Sequence, residues 1–243
     1  MQCAIRSEWS KFRSYPWCTV GIIGAILTAP IVLLVMGANI SGGTELSVQD
    51  VISQCMRALF LGQAGIVIAA AGFFGQEYEQ SCLRTTFLAV PKRIKTIGAK
   101  WIILAMIVVL SGMISGLVSL AVCIIQYNCD ITFRLVAEFM VGVALAMISW
   151  AQMAWISAGL SMLTKTLITP IAIILPLVFS LSQMLYSLFK PAKFLPDLAA
   201  INLFLIPKTT NFLDVWPGIT VQFAWVVLFG VTAVWLTLRR DVR

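Results

Sequence analysis

The chain has 243 residues, 60% hydrophobic and only 11% charged, with a net charge of +7 and a mean hydropathy of +0.96. A soluble domain is nearer half apolar and a quarter charged, so this chain lacks the charge to cover a water-facing surface. Its length instead accommodates roughly six membrane spans of about 20 residues each. There is no histidine, which excludes imidazole bases, Ser-His triads and histidine-ligated zinc. No Gly is followed by Lys, so a Walker A loop is absent and the chain cannot bind ATP in that way.

In the head of the chain Ile5, Trp9 and Phe12 recur at i, i+4, i+7, with Arg6, Lys11 and Arg13 on other faces. This pattern predicts a short interfacial helix, its rings at the acyl boundary and its cations near anionic headgroups. A disordered basic head is the alternative. Pro16 breaks the helix before the chain enters the bilayer. Six apolar runs follow, at about 20–38, 55–75, 101–125, 136–162, 167–189 and 219–238. They are too long for barrel strands and lack the alternation of such strands, so they are read as helices. The first exceeds a signal-peptide core and is expected to be retained.

Charge placement orients the spans. With the N-terminus inside, the cytoplasmic segments carry Arg6, Lys11, Arg13, Arg84, Lys92, Arg93, Lys95, Lys100, Lys165, Arg239, Arg240 and Arg243, which is 12 cations. The outer side holds Arg57, Arg134, Lys190, Lys193 and Lys208, which is five. This bias supports six spans with both termini cytoplasmic, and it accounts for the +7 without a nucleic-acid partner. The fold class is all-α and polytopic, one transmembrane domain over 1–243 with no nucleotide-binding domain.

The six cysteines (Cys3, Cys18, Cys55, Cys82, Cys123, Cys129) are scattered without a CxxC, which speaks against a metal cluster. A bridge between Cys55 and Cys129, both near the outer face, stays open. Within the spans the mid-depth polar residues are Gln63, Gln152 and Gln183. They are candidates for lining a path, although interhelical hydrogen bonding is the commoner use of such residues. Gly112 and Gly116 form a GxxxG pair for close packing of the third span, and Pro170 and Pro176 bend the fifth. Residues 190–217 are too short for two further spans yet carry Phe194, Leu195, Leu198 and Leu203 through Ile206. That combination predicts half-inserted, re-entrant outer helices before the last span, with a hydrophobic surface loop as the alternative.

The loop after the second span is the most informative stretch. Glu77 and Glu79 open it; Lys92, Arg93 and Lys95 close it; Leu83, Phe87 and Val90 give an apolar stripe; Pro91 supplies a stop. Acids first and bases last complement a helix dipole, so a short amphipathic cytoplasmic helix is predicted. A solvated connector is the other reading of the same residues.

At these residues the chain resembles the permease subunits of ABC-2 type exporters, in particular bacterial six-span subunits whose ATPase is encoded separately. The pattern Glu-Trp-x-Lys-x-Arg-Ser is matched by Glu8-Trp9-Ser10-Lys11-Phe12-Arg13-Ser14. The pattern Glu-Tyr-x-x-Gly-x-x-Arg-Thr-Thr-Leu-x-x-x-Pro-x-Arg is matched from Glu77-Tyr78 through Arg84-Thr85-Thr86 to Pro91 and Arg93, followed by Lys100. Arg240-Asp241 matches a common ending. Ser81 stands where that family usually has Gly, and Phe87 where it has Leu. The resemblance implies that residues 77–93 form a coupling helix docked on ABC ATPase subunits, with Glu77, Tyr78, Glu79, Arg84, Thr85, Pro91 and Arg93 at the contact. It also implies outer helices that cap the exit of the translocation path. ATP and Mg2+ would be bound by the partner ATPase; this chain itself carries no catalytic or metal residues and needs no cofactor. A second permease copy, or a paralogous permease, would complete the path, and the cargo would be a hydrophobic or amphipathic peptide antibiotic, drug or lipid. Two other classes compete: a membrane sensor or immunity scaffold without transport, and an ATP-independent secondary transporter. The second needs buried charge or broken repeats. An intramembrane enzyme ranks last, for want of histidine, a metal cluster or a buried acid pair.

Overall fold

The computed structural model describes residues 2–38, 48–79, 93–127 and 133–239, and every regular element among them is helical. Helix α1 covers Gln2–Ser14 and α2 covers Pro16–Ala38, with Tyr15 between them. Proline at the first helical position lacks only an N–H that would have had no partner there, so Pro16 ends one helix and begins the next. The long helices α3 (Val48–Glu79), α4 (Arg93–Tyr127) and α5 (Phe133–Thr164) follow. The chain then continues through α6 (Ile168–Pro176), a π turn (Leu177–Leu181) and α7 (Ser182–Leu188). Short 3-10 turns at Lys190–Phe194 and Ile201–Leu203 flank α8 (Pro196–Ala199), and α9 (Val215–Arg239) is the last element.

Six stretches are long and apolar enough to cross a membrane: Pro16–Met36, Gln49–Tyr78, Ile97–Gln126, Val136–Thr164, Ile168–Leu188 and Val215–Thr237. The helices outrun the apolar runs read from the sequence. Helix α3 starts at Val48 and ends at Glu79, because polar end residues such as Asp50, Gln54 and Glu77 leave the hydropathy window without leaving helical geometry.

Helix α3 is the axis of the bundle. In its most apolar window 89% of residues are buried, against 22% in the fifth and sixth spans. Its own Phe73 and, around it, Trp150, Phe139, Met153 and Ile103 are all almost fully enclosed. Helix α2 packs mainly on α3, and the two backbones touch: a Cβ built on Gly21 would overlap Ala69, and one on Gly65 would overlap Ala25. The Gly112 and Gly116 pair faces Met147 and Val143 of α5, as close packing of the third span requires. Cys55 lies buried with its sulfur 2.7 Å from that of Cys123, which is buried as well. Cys129, the other residue of the bridge left open in the sequence, lies outside the described residues.

In the fifth span Pro176 offers no N–H to the preceding turn, and the π turn begins at the next residue. The Ser182 hydroxyl donates to the Leu177 carbonyl at 2.8 Å and also contacts the Asp197 carboxylate. Asp197 is buried in α8, and its Oδ1 has no hydrogen-bond partner of normal geometry among the described residues. A hydroxyl has one proton to give. If Asp197 is protonated it donates to Ser182, which in turn donates to Leu177, and the chain of bonds is complete. Burial pushes the Asp197 carboxyl up to about 6, against the opposing effect of the Ser182 bond. The folded state then holds a proton that the unfolded chain releases near pH 4. Stability should fall as pH rises from about 4 to about 6 and stay at the lower level above that. Thermal unfolding in detergent should show a higher midpoint at pH 5 than at pH 8, and Asp197→Asn should remove most of that difference while raising the pH 8 midpoint. An unchanged pH profile in Asp197→Asn would disprove the proton assignment.

The rest of the 190–214 segment is organised by polar contacts. Asn202 donates to the Thr209 and Leu213 carbonyls at 3.0 Å and accepts from Thr209 N at 3.1 Å. Trp225 of α9 donates to the Phe194 carbonyl at 2.8 Å. Leu198, Ile201, Leu203 and Phe204 are buried, with Phe204 edge-on to Phe60 at 5.4 Å. The apolar residues of this segment therefore serve as a lid over one end of the bundle.

Candidate functional site

At the other end of the bundle four ionisable side chains converge from three helices. Lys11 of α1 lies 2.8 Å from Glu8 and 3.0 Å from Glu77 of α3. Lys100 of α4 lies 2.6 Å from Glu77 and 3.7 Å from Glu8. Two carboxylates alternate with two ammoniums, so the set is neutral. Glu8, Glu77 and Lys100 are at most 5% exposed. Lys100 also donates to the Phe73 carbonyl at 3.3 Å and sits over the rings of Phe73 and Phe74, at 4.7 and 5.1 Å. Two of its N–H groups thus have hydrogen-bond acceptors, Glu77 and Phe73, while Glu8 at 3.7 Å and the ring faces add charge attraction. Lys11, half-buried, would have its pKa lowered by burial; Glu77 and Glu8 outweigh this and hold it above its ordinary value. It stays charged throughout the physiological range.

Local sequence explains the convergence. Helix α1 buries Glu8 and Phe12, Tyr15 just after it is buried too, and Phe12 meets Phe73 edge-on at 5.1 Å. Trp9 and Arg13 are exposed. The buried face is thus rotated from the Ile5–Trp9–Phe12 stripe, because an ion-paired Glu8 can occupy an inward position that an unpaired carboxylate cannot. Helix α3 extends past its apolar core to bring Glu77 to the same level, and α4 contributes Lys100 two turns after its start. The 13 residues at 80–92 leave from α3 and return into α4, so the cluster sits at the base of that segment.

Of the residues singled out in the sequence, Lys11 and Glu77 are joined here, and Phe12 packs beside them. Tyr78 is half-buried next to Glu77. Arg84, Thr85 and Pro91 lie outside the described residues, as do the side chains of Glu79 and Arg93. Glu8 and Lys100 were noted only as motif positions. Lys100 stands immediately before the apolar run at 101–125, and the span in the structure, Ile97–Gln126, takes it in; a lysine within a span is by default functional and paired.

The glutamines separate. Gln63 and Gln152 lie inside the chain: Gln63 Nε2 donates to Ser149 at 3.4 Å, and Gln152 Nε2 to the Ile219 carbonyl at 3.3 Å. Gln222 of α9, which the sequence reading passed over, is fully buried near this seam. Gln183 is exposed on α7.

A family profile described as ABC-2 family transporter protein matches residues 4–182. That range includes the whole ion cluster and ends in the fifth span. No curated protein and no solved structure matches the chain significantly.

Proposed function

Since the chain belongs to the ABC-2 family of transporter proteins, we propose that it is the membrane-spanning permease of an ATP-driven exporter and that the Glu8–Lys11–Glu77–Lys100 cluster transmits motion from its ATPase. The carrying observation is that α1, α3 and α4 are clamped by one neutral ion network at the two ends of segment 80–92. In this reading residues 80–92 form the coupling helix, Arg84, Thr85, Pro91 and the flanking Glu79 and Arg93 meet the ATPase, and ATP and Mg2+ are held there. Glu77 acts inward: a push on the segment is delivered to three helices at once rather than lost in a flexible hinge. The cluster end faces the cytoplasm of a bacterial cell, both termini lie on that side, and the short helices of 190–203 are re-entrant and cap the exit. A second permease, identical or paralogous, supplies the other wall of the path, along which exposed Gln183 lies. ATP-driven closure of the ATPase pair then switches the path from inward- to outward-facing, and the low polarity of the spans suits a hydrophobic or amphipathic cargo such as a peptide antibiotic, a drug or a lipid.

The test is co-purification with an ABC ATPase and measurement of vanadate-sensitive hydrolysis in lipid. Arg84→Ala should reduce the stimulated rate by about fivefold or more, the scale of a typical coupling free energy, while leaving membrane insertion and thermal stability unchanged. Glu77→Ala should lower both the rate and the stability. Full stimulated activity in both variants would overturn the coupling assignment.

A further inference from the structure

Near the ion-cluster end, α4 and α9 diverge and leave a groove of about 590 Å³, within the usual range of roughly 300–1,000 Å³ for small-molecule sites. Ile97, Gly98 and Trp101 form one wall, and Gly230, Val231 and Trp235 lie along the other. Among the described residues no ionisable side chain lines it. Gly230 leaves room for the Trp101 ring, which approaches to 3.2 Å of where its Cβ would stand, whereas a Cβ at Gly98 would meet nothing within 4 Å. The groove is therefore open on the Gly98 side. Its walls belong to two membrane spans, so hydrocarbon is the medium around it.

Charge at one end of the groove selects among the molecules that could fill it. The Arg239 guanidinium stacks 4.3 Å from the Trp235 ring centroid, on an exposed residue. Among the described residues no carboxylate pairs with it. Tryptophans concentrate at headgroup depth, and four helical residues advance the chain by about 6 Å. Arg239 thus stands just beyond the Trp235 level, where lipid phosphates lie, and the ring holds its guanidinium in place.

We propose that this groove is a binding site for an anionic phospholipid, an acyl chain lying between α4 and α9 and the phosphate on Arg239. The site requires neither transport nor an ATPase, so it stands independently of the function proposed above. A bound lipid would fill the gap between two spans that otherwise make little direct contact at this end, joining α9 to the helix that carries Lys100.

The experiment is native mass spectrometry of the delipidated full-length chain, titrated separately with phosphatidylglycerol and phosphatidylcholine. The wild type should take up one phosphatidylglycerol with about fivefold preference over phosphatidylcholine, the scale of one cation at an anionic surface. Arg239→Gln should bind the two lipids equally. Gly98→Phe, which fills the open side, should lose the specific adduct; Val231→Phe, on the other wall and 62% exposed, is the second filling variant should the first fail to fold. Equal uptake of both lipids by the wild type would overturn the proposal, as would a preference that survives in Arg239→Gln. Unchanged adducts in the filled variants would also overturn it. If filling the groove instead abolished a dimer mass while lipid uptake stayed as in the wild type, the occupant would be a second copy of this chain, not a lipid.

Discussion

Glu77→Leu should lower the thermal midpoint of the protein by on the order of 10 °C, and adding Lys100→Met should recover a large part of that loss. The cluster is neutral and almost enclosed. Removing one carboxylate leaves two lysines facing a single acid, and breaking a buried pair in this way costs about 3–5 kcal/mol. At this chain length each kcal/mol moves the midpoint by roughly 2–4 °C. Removing Lys100 as well restores balance, because Glu8 and Lys11 then remain as a pair at 2.8 Å, and two apolar side chains can replace two buried charges at little net cost. The double variant should therefore be far more stable than the sum of the single changes, a coupling that residues in one network show and distant ones do not. Half-molar salt should barely alter the result, since screening acts weakly on enclosed pairs. The check is thermal unfolding of the four proteins of the cycle in detergent. Strict additivity would show that Glu77 and Lys100 do not act together.

The same variants separate stability from coupling. In the proposed transporter the double variant would be folded but would connect α3 to α4 only through apolar contact. Stimulated ATP hydrolysis should then stay low although the midpoint has recovered. A charge network that served stability alone would let both readouts recover together.

What the sequence revealed, and what it hid, follows from how membrane helices encode their packing. Six apolar runs and the Pro16 break are properties of composition along the chain, and both appear in the structure. Which face of each helix turns inward is a different kind of information. A span that is apolar all round has no amphipathic stripe to read. Gln222 gave no positional signal that distinguished it from a path-lining residue, and Gln183 gave none that marked it as exposed. In α1 the stripe was legible but misleading, because counting apolar residues assigns Glu8 to the outside when its two lysine partners come from Lys11, one turn on, and from Lys100 on another helix. That Cys55 meets Cys123 was hidden for the same reason, because a register between two helices is set by their packing. The ion cluster could have been anticipated from Lys100 alone. Its partners could not, since they lie 92 and 23 residues earlier in the chain.

Gly65→Ala, the addition of a single carbon, should destabilise the protein by about 3 kcal/mol, the upper part of the range for overpacking. The new Cβ would overlap the backbone nitrogen of Ala25, and the matching position on α2, Gly21, is equally closed by Ala69. Backbone cannot move aside as a side chain does, so the two helices must separate. Separation then loosens contacts that depend on their closeness, including the Ser115 hydroxyl bond to the Ala25 carbonyl at 3.3 Å. The Gly21-xxx-Ala25 and Gly65-xxx-Ala69 pairs form the small-residue seam by which membrane helices approach without a hydrophobic drive between them. Gly24 is the internal control, since a Cβ there meets nothing within 4 Å. Gly24→Ala should be neutral or stabilising by about 0.5–1 kcal/mol through helix propensity alone. Thermal midpoints of the two alanine variants decide the matter: equal values would show that α2 and α3 are not held at backbone contact. If they are so held, α2 has no freedom to slide on α3. Since α1 is clamped to α3 and α4 by the ion cluster, the seam extends that clamp along the whole of α2. In the proposed transporter, displacement of segment 80–92 would then move α2 and α3 as one body, and path opening would fall to the less buried fifth and sixth spans.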